Sequence, residues 1–423
     1  MDCLLHIGTE KTATTLLQSW LYSNRNALSA EGVFLSSVLK EGNNRKLVSF
    51  FQTQVDDWLK RQKINTTEEK AAFFDGFDAD FRREVEEAAT THHTMIITSE
   101  HFHSRLRQRE QLEALKTLLD ELFERVRVVC YFRDQADYAV STYSTKLRNA
   151  YPHSLETFLG SISPEGYYFN HEDSAALWAS VFGEDACQFA VFDRAAFVDH
   201  DIRRDFIAHL PTPVNNKSLS YAVERRNESL SRFQARLFQV INQRIPFWKP
   251  GRVGLNRLNR KLKTTVENIV GIDSGSLEAA KQGLRDEFAD SNRRFLARWA
   301  PNRTDLLDHG AGKPSEARTG ADSVAQVTAQ TTMDMAEVEA LLANLLDGLL
   351  DKHLSHGRAL LDEDAQELVA FYDRYRKTCP EDIEGAQFLL ALAQRARPGG
   401  QVIKDRLAAL EKTEGDAAET PEG

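Results

Sequence analysis

The hydrophobic positions change period along the chain, and those changes mark out the elements. Residues 3–7 (CLLHI) form a short apolar run that reads as a buried strand, and Gly8 ends it. From near Thr12 the period lengthens, with Leu16, Leu17, Trp20 and Leu21 on one helical face. Further strands are predicted near residues 33–35, at Thr94–Thr98 (TMIIT), at Val126–Phe132 (VRVVCYF) and at residues 187–192 (CQFAVF). All are short and rich in β-branched or aromatic side chains, and helical stretches separate them. Strands alternating with helices imply an α/β fold: a central, mostly parallel sheet with helices on both faces, in three layers.

The pattern changes near residue 308. Residues 308–332 are poor in large apolar side chains and rich in Gly, Ala, Ser and Thr, the composition of a linker. In residues 335–354, Val338, Leu341, Leu342, Leu345, Leu346, Leu349 and Leu350 recur at helical spacing, and two or three more helices reach about Leu410. The expected division is a domain over 1–307, a linker over 308–332, an all-helical extension over 333–412 and a disordered tail over 413–423. That tail carries Glu414, Asp416, Glu419 and Glu422 with no basic partner. Residues 383–410 resemble one helical-repeat hairpin, which needs neighbours to bury its face. The C-terminal helices are therefore a candidate surface for homo-oligomerisation.

Composition narrows the class. The 423 residues are 42% hydrophobic and 27% charged, as in a globular protein. The formal charge of -10 argues against nucleic acid as partner, while a local basic patch can still hold an anion. Cys3, Cys130, Cys187 and Cys379 are scattered without a CxxC pair, which fits free thiols in a reducing compartment. No apolar run approaches the roughly 20 residues that span a bilayer, and the N-terminus lacks a signal-peptide layout, so a cytoplasmic protein is expected.

The chemistry begins where the first strand ends. Gly8-Thr9-Glu10-Lys11-Thr12-Ala13-Thr14-Thr15 joins a strand to a helix, and free amides plus the helix dipole favour an anion there. Gly8 permits a tight exit, Lys11 supplies an ammonium, and Thr12, Thr14 and Thr15 add hydroxyl donors. The triphosphatase pattern GxxxxGK[ST] is absent, because Lys11 follows Gly8 by only three residues. A second cluster ends the strand Val126–Phe132: Arg133 emerges at its carboxyl edge, and Ser141 follows eight residues later in a helix. Such a pair suits a fork of hydrogen bonds to one phosphate.

Lys11-Thr12-Ala13-Thr14-Thr15 resembles the donor-binding loop of the sulfotransferases, a Lys-Ser/Thr-Gly-Thr-Thr run, with Ala13 in place of glycine. Alanine is costly there if the backbone requires positive φ, and harmless in a first helical turn. Arg133 and Ser141 resemble the family's second motif, which holds the 3′-phosphate of PAPS, with Gln135 in place of proline. Tyr167-Tyr168-Phe169-Asn170, Leu177-Trp178, Phe182-Gly183, Phe192-Asp193-Arg194 and Arg225-Asn227-Glu228-Ser229 are also similar to bacterial members. The resemblance covers about residues 3–300. It implies a P-loop NTPase-like sulfotransferase domain with PAPS as donor, PAP as product and no metal. Gly8, Thr9, Lys11, Thr12, Ala13, Thr14, Thr15, Arg133 and Ser141 would bind the nucleotide, Arg225, Asn227 and Ser229 would form a lid or a cofactor contact, and Lys11 would stabilise the leaving oxygen.

The base is sought after the strand Thr94–Thr98, where Ser99-Glu100-His101-Phe102-His103 follows. If the strand continued, Glu100 and His101 would point to opposite faces. Glu100 is slightly favoured over His101 as general base, with Glu41 a third candidate. A helix N-terminal acid is the structural alternative for Glu100. His101 and His103 lack a third ligand for a metal. The basic stretch 244–263, with Phe247 and Trp248, suits an anionic or sugar acceptor, or else a solvated surface. The expected reaction is sulfuryl transfer to a hydroxyl or amine, on a glycan or small molecule. The rivals are an ATP-dependent small-molecule kinase and a non-catalytic scaffold on the same frame.

Overall fold

A computed structural model describes residues 1–39, 42–222, 230, 232–245, 247, 256–267, 278–310, 362–378 and 383–418. Its centre is a five-stranded, all-parallel sheet in the order β2-β3-β1-β4-β5. The strands are β1 (Asp2–Gly8), β2 (Val33–Leu35), β3 (Thr94–Thr98), β4 (Val126–Phe132) and β5 (Cys187–Val191). The helices that bear on the site are α1 (Thr14–Ser23), α2 (Arg45–Phe51), α3 (His101–Arg105), α4 (Gln135–Arg148), α5 (His171–Phe182) and α6 (Ala289–Trp299).

Successive strand side chains point to opposite faces, and the strands are apolar on both because both faces are covered. Cys3, Leu5, Ile7, Met95, Ile97, Val128, Cys130 and Phe132 build one core with Phe81, Leu112, Leu115, Trp178 and Phe295. Leu4, Ile96, Val129 and Tyr131 build the other with Leu17, Trp20, Leu21, Phe206 and Ile207. Two cores on one sheet make three layers.

The chain forms two compact units. The first comprises Met1–Ser141, Leu159–Glu228 and Leu277–Thr319, and holds the sheet. The second comprises Thr142–Phe158, Ser229–Ser276 and Gly320–Gly423. Within it, Arg232–Arg244 packs on Arg257–Glu267, while Asp362–Thr378, Ile383–Ala396 and Gln401–Ala418 pack in sequence. Arg406 forks onto Asp373 at 2.9 and 2.6 Å. Residues 311–361, which take in most of the expected linker and the leucine-rich stretch 335–354, lie outside the described residues. Among the described residues, no helix is long and apolar enough to cross a membrane.

Candidate active site

The strand order creates the site. After β1 the chain passes over to β2 beyond β3, whereas after β4 it passes to β5 on the opposite side. Loops diverging from adjacent strands leave a crevice at their carboxyl ends, the usual ligand position in open α/β sheets. The Lys11 loop follows β1 and Arg133 follows β4, so both stand at this switch point. The two are joined directly: Arg133 Nη1 donates to the Lys11 carbonyl at 3.2 Å. Thr9 fastens the loop to β4 through its amide and its hydroxyl, at 3.0 and 3.2 Å from the Tyr131 carbonyl.

The loop backbone is unusual. Gly8 has φ +126°, and a Cβ there would lie 3.2 Å from Glu100 Cα, so glycine is required by conformation and by close approach. Lys11 (φ 67°) and Ala13 (φ 59°, ψ 25°) are both left-handed. Alternating φ signs over Lys11, Thr12 and Ala13 turn successive amides toward one side, a backbone pattern that cradles anions. The Thr12 hydroxyl is buried and donates to the Thr9 carbonyl at 2.7 Å, which braces the turn from within. No side chain caps α1 and no acid occupies its first turn, whose members Thr14 and Thr15 are buried and exposed respectively. That helix end presents amide donors.

Arg133 is half-buried, and burial lowers its pKa against the opposing carboxylates of Asp137 and Asp308. A guanidinium does not deprotonate at working pH, so the observation means desolvated charge. Its Nε is buried without a partner, and its Cζ lies 5.9 Å from the Phe192 ring centroid. The following residues are rigid. Asp134 accepts from the Asp137 amide at 3.0 Å and from Arg285, and Gln135 exchanges hydrogen bonds with Asn292 at 2.6 and 2.9 Å. Gln135 therefore ties the start of α4 to α6, a role proline could not fill. Ser141 is half-buried nearly two turns along α4. Among the described residues, no hydrogen bond joins it to Arg133 or to the loop.

β3 ends at Thr98, so strand alternation does not extend to Glu100 and His101: the Glu100 side chain reaches Gln18 in α1, and the His101 ring reaches Glu10 in the loop. Glu100 Oε2 accepts from Gln18 Nε2 at 2.7 Å, and its Oε1 lies 4.0 Å from His101 Nε2. His101 Nδ1 lies 3.4 Å from Oε1 of Glu10, a loop residue that sequence reasoning passed over. Tyr168 donates to Glu10 Oε2 in a short hydrogen bond. Burial acts to raise the Glu10 carboxyl, but His101, Tyr168 and Arg105 outweigh it and hold the group well below the usual carboxylate range. Behind this cluster Arg45 is fully buried and bonds to Asp56 and to Gln52 at 3.1 Å, with Nη1 unpartnered. Burial and nearby Arg105 bring its pKa down to about 9 against Glu10 and Glu100.

The other candidates fall elsewhere. His103 is buried among the rings of Phe132, Tyr167 and Tyr168, and burial pushes its pKa down to about 3, so it is neutral and turned into the core. Tyr167 accepts from Trp178, Asn170 caps α5, and Asp193 and Arg194 pair with Arg303 and Asp308 at 2.7 and 2.8 Å. Lys263, in the basic stretch, donates to the carbonyls of Leu147 and Arg148 at 3.0 and 3.2 Å, a helix-capping role. Glu41, Arg225, Asn227, Ser229 and Trp248 lie outside the described residues. Among the described residues, no group of three or more His, Cys, Asp or Glu is arranged to hold a metal. No family model matches the chain, and neither do curated proteins or solved structures.

Proposed function

We propose that the chain is a PAPS-dependent sulfotransferase, built on a P-loop-type α/β domain with a C-terminal helical extension, that sulfates a hydroxyl or amine of a carbohydrate acceptor. The observation that carries this reading is the meeting of the Lys11 loop and Arg133 at the β1–β4 switch point, with Arg133 bonded to the Lys11 carbonyl. Two anion-seeking groups on neighbouring strands suit a nucleotide with phosphates at two positions. The uncapped α1 and the unpartnered Arg133 Nε both fit such a ligand.

When bound, PAPS supplies an activated sulfuryl group. The chain's residues then do three things. The amides of the loop and of the first turn of α1 hold the phosphates, while Arg133 takes the 3′-phosphate together with Ser141. Lys11 stabilises charge developing on the oxygen that leaves sulfur. The Glu10–Glu100–His101 cluster lies beside the loop and takes the acceptor proton. Positioning and electrostatics do most of this work, as in phosphoryl transfer.

The test is transfer of labelled sulfate from PAPS to a panel of glycans, phenols and amines. Transfer to a glycan is the expected result. Absence of transfer to every acceptor, with phosphoryl transfer from ATP instead, would overturn the reading in favour of a kinase.

A further inference from the structure

His101 lies between two carboxylates, one on each ring nitrogen, and they differ in what they can do. Glu10 Oε1 is 3.4 Å from Nδ1, an ion-pair contact longer than an ordinary hydrogen bond, whereas Glu100 Oε1 is farther away, 4.0 Å from Nε2. Glu10 is also anchored: its second oxygen accepts from Tyr168, whose ring stacks on Tyr138 with centroids 5.3 Å apart. Glu100 is anchored differently, because Gln18 holds its second oxygen. We propose that Glu10 is a positioning residue that keeps a proton on Nδ1 of His101, leaving Nε2 as the base for the acceptor; this rests on the sulfotransferase reading.

A carboxylate only accepts hydrogen bonds, so its contact with Nδ1 selects the tautomer protonated there. Ser104 Oγ also lies 3.4 Å from Nδ1, but a hydroxyl both donates and accepts, and does not select. Glu10 is held well below the usual carboxylate range, so it stays ionised at working pH. The charged groups around it are Arg45 from α2, Arg105 from α3 and Glu100 beside His101. Glu10 directly precedes Lys11, so one short loop sets both ends of the reaction. The acceptor O–H proton passes to His101 Nε2 while the acceptor oxygen bonds to sulfur. The bond from sulfur to the donor's phosphate oxygen breaks, and its electron pair stays on that oxygen beside Lys11. Atoms and charge balance without a metal or redox partner.

The test is Glu10→Gln in the full chain, read three ways. Nitrogen-15 NMR of labelled histidine, assigned with His101→Ala, should show Nδ1 protonated in the wild type and a mixture of tautomers in the variant. Turnover should fall about 100-fold, the scale of general-base assistance. Calorimetry with PAP should show binding within about threefold of wild type, since no nucleotide contact is removed. Glu10→Gln should cost little more in a His101→Ala background, because the two act as a unit. Wild-type His101 protonated on Nε2, or full additivity of the two substitutions, would overturn the proposal. Wild-type protein with the Nδ1 tautomer but no sulfate transfer would instead count against the sulfotransferase reading.

Discussion

Ala13 offers a sharp test of how the loop is built. It adopts φ 59° and ψ 25° immediately before α1, a left-handed conformation that costs an L-residue about 1–2 kcal/mol. Ala13→Gly removes that strain. Against the gain stand about 0.5–1 kcal/mol of added unfolded-chain entropy and part of the about 0.8 kcal/mol from burying one methyl. The net should lie between neutral and a stabilisation of about 1 kcal/mol. Ala179→Gly is the comparator, because Ala179 is buried in the right-handed helix α5. There the same change should cost about 2 kcal/mol, from helix propensity and the lost methyl together. Urea unfolding of both variants under one condition measures the gap, expected to be about 2 kcal/mol in favour of Ala13→Gly. PAP affinity should hold, because glycine keeps the amide in place. A loss at position 13 equal to that at position 179 would refute the left-handed loop.

Further expectations follow from particular contacts. Gly8→Ala adds a Cβ 3.2 Å from Glu100 Cα at φ +126°, and should cost about 2–4 kcal/mol and weaken PAP binding. Gly76→Ala, also at positive φ but in open space, should cost less in the same unfolding assay and leave binding unchanged. Glu100→Gln should spare PAP binding while lowering sulfate transfer, and intact transfer would remove Glu100 from the chemistry. Burial brings His6 and His103 down to about 3 and His171 to about 4 from 6.5, so the unfolded chain binds more protons below pH 6.5. Stability should therefore fall as pH drops from 6.5 toward 4, with a slope approaching about three protons, roughly 4 kcal/mol per unit. Urea midpoints unchanged from pH 6.5 to 5 would contradict this.

Much of the sheet was legible because each strand is a short run buried on both faces and bounded by polar turns. Thr94–Thr98 and Val126–Phe132 match the observed strands residue for residue, and residues 3–7 and 187–192 differ only at their ends. The switch point was not legible, since strand order depends on pairings between segments far apart in the chain. Ala13 was legible as a question, and its backbone conformation answers it. The Glu10–His101–Tyr168 contacts were hidden for another reason. Tyr168 lies 158 residues from Glu10, and no local pattern marks such a pair. Strand alternation had no bearing on Glu100 and His101, because β3 stops at Thr98 and a helix starts at His101. Gln135 looked like a lost proline, yet its side chain bonds Asn292, 157 residues away.

The measurement that bears most directly on the proposed nucleotide site is calorimetric titration of PAP and of ATP with magnesium into the wild type and the Lys11→Ala and Arg133→Ala variants. PAP should bind the wild type more tightly than ATP with magnesium. Each substitution should weaken PAP by about 100-fold or more, the loss expected when a desolvated charge–phosphate contact is removed. Preference for ATP with magnesium, or PAP binding unchanged in both variants, would contradict a PAPS site at the β1–β4 switch point.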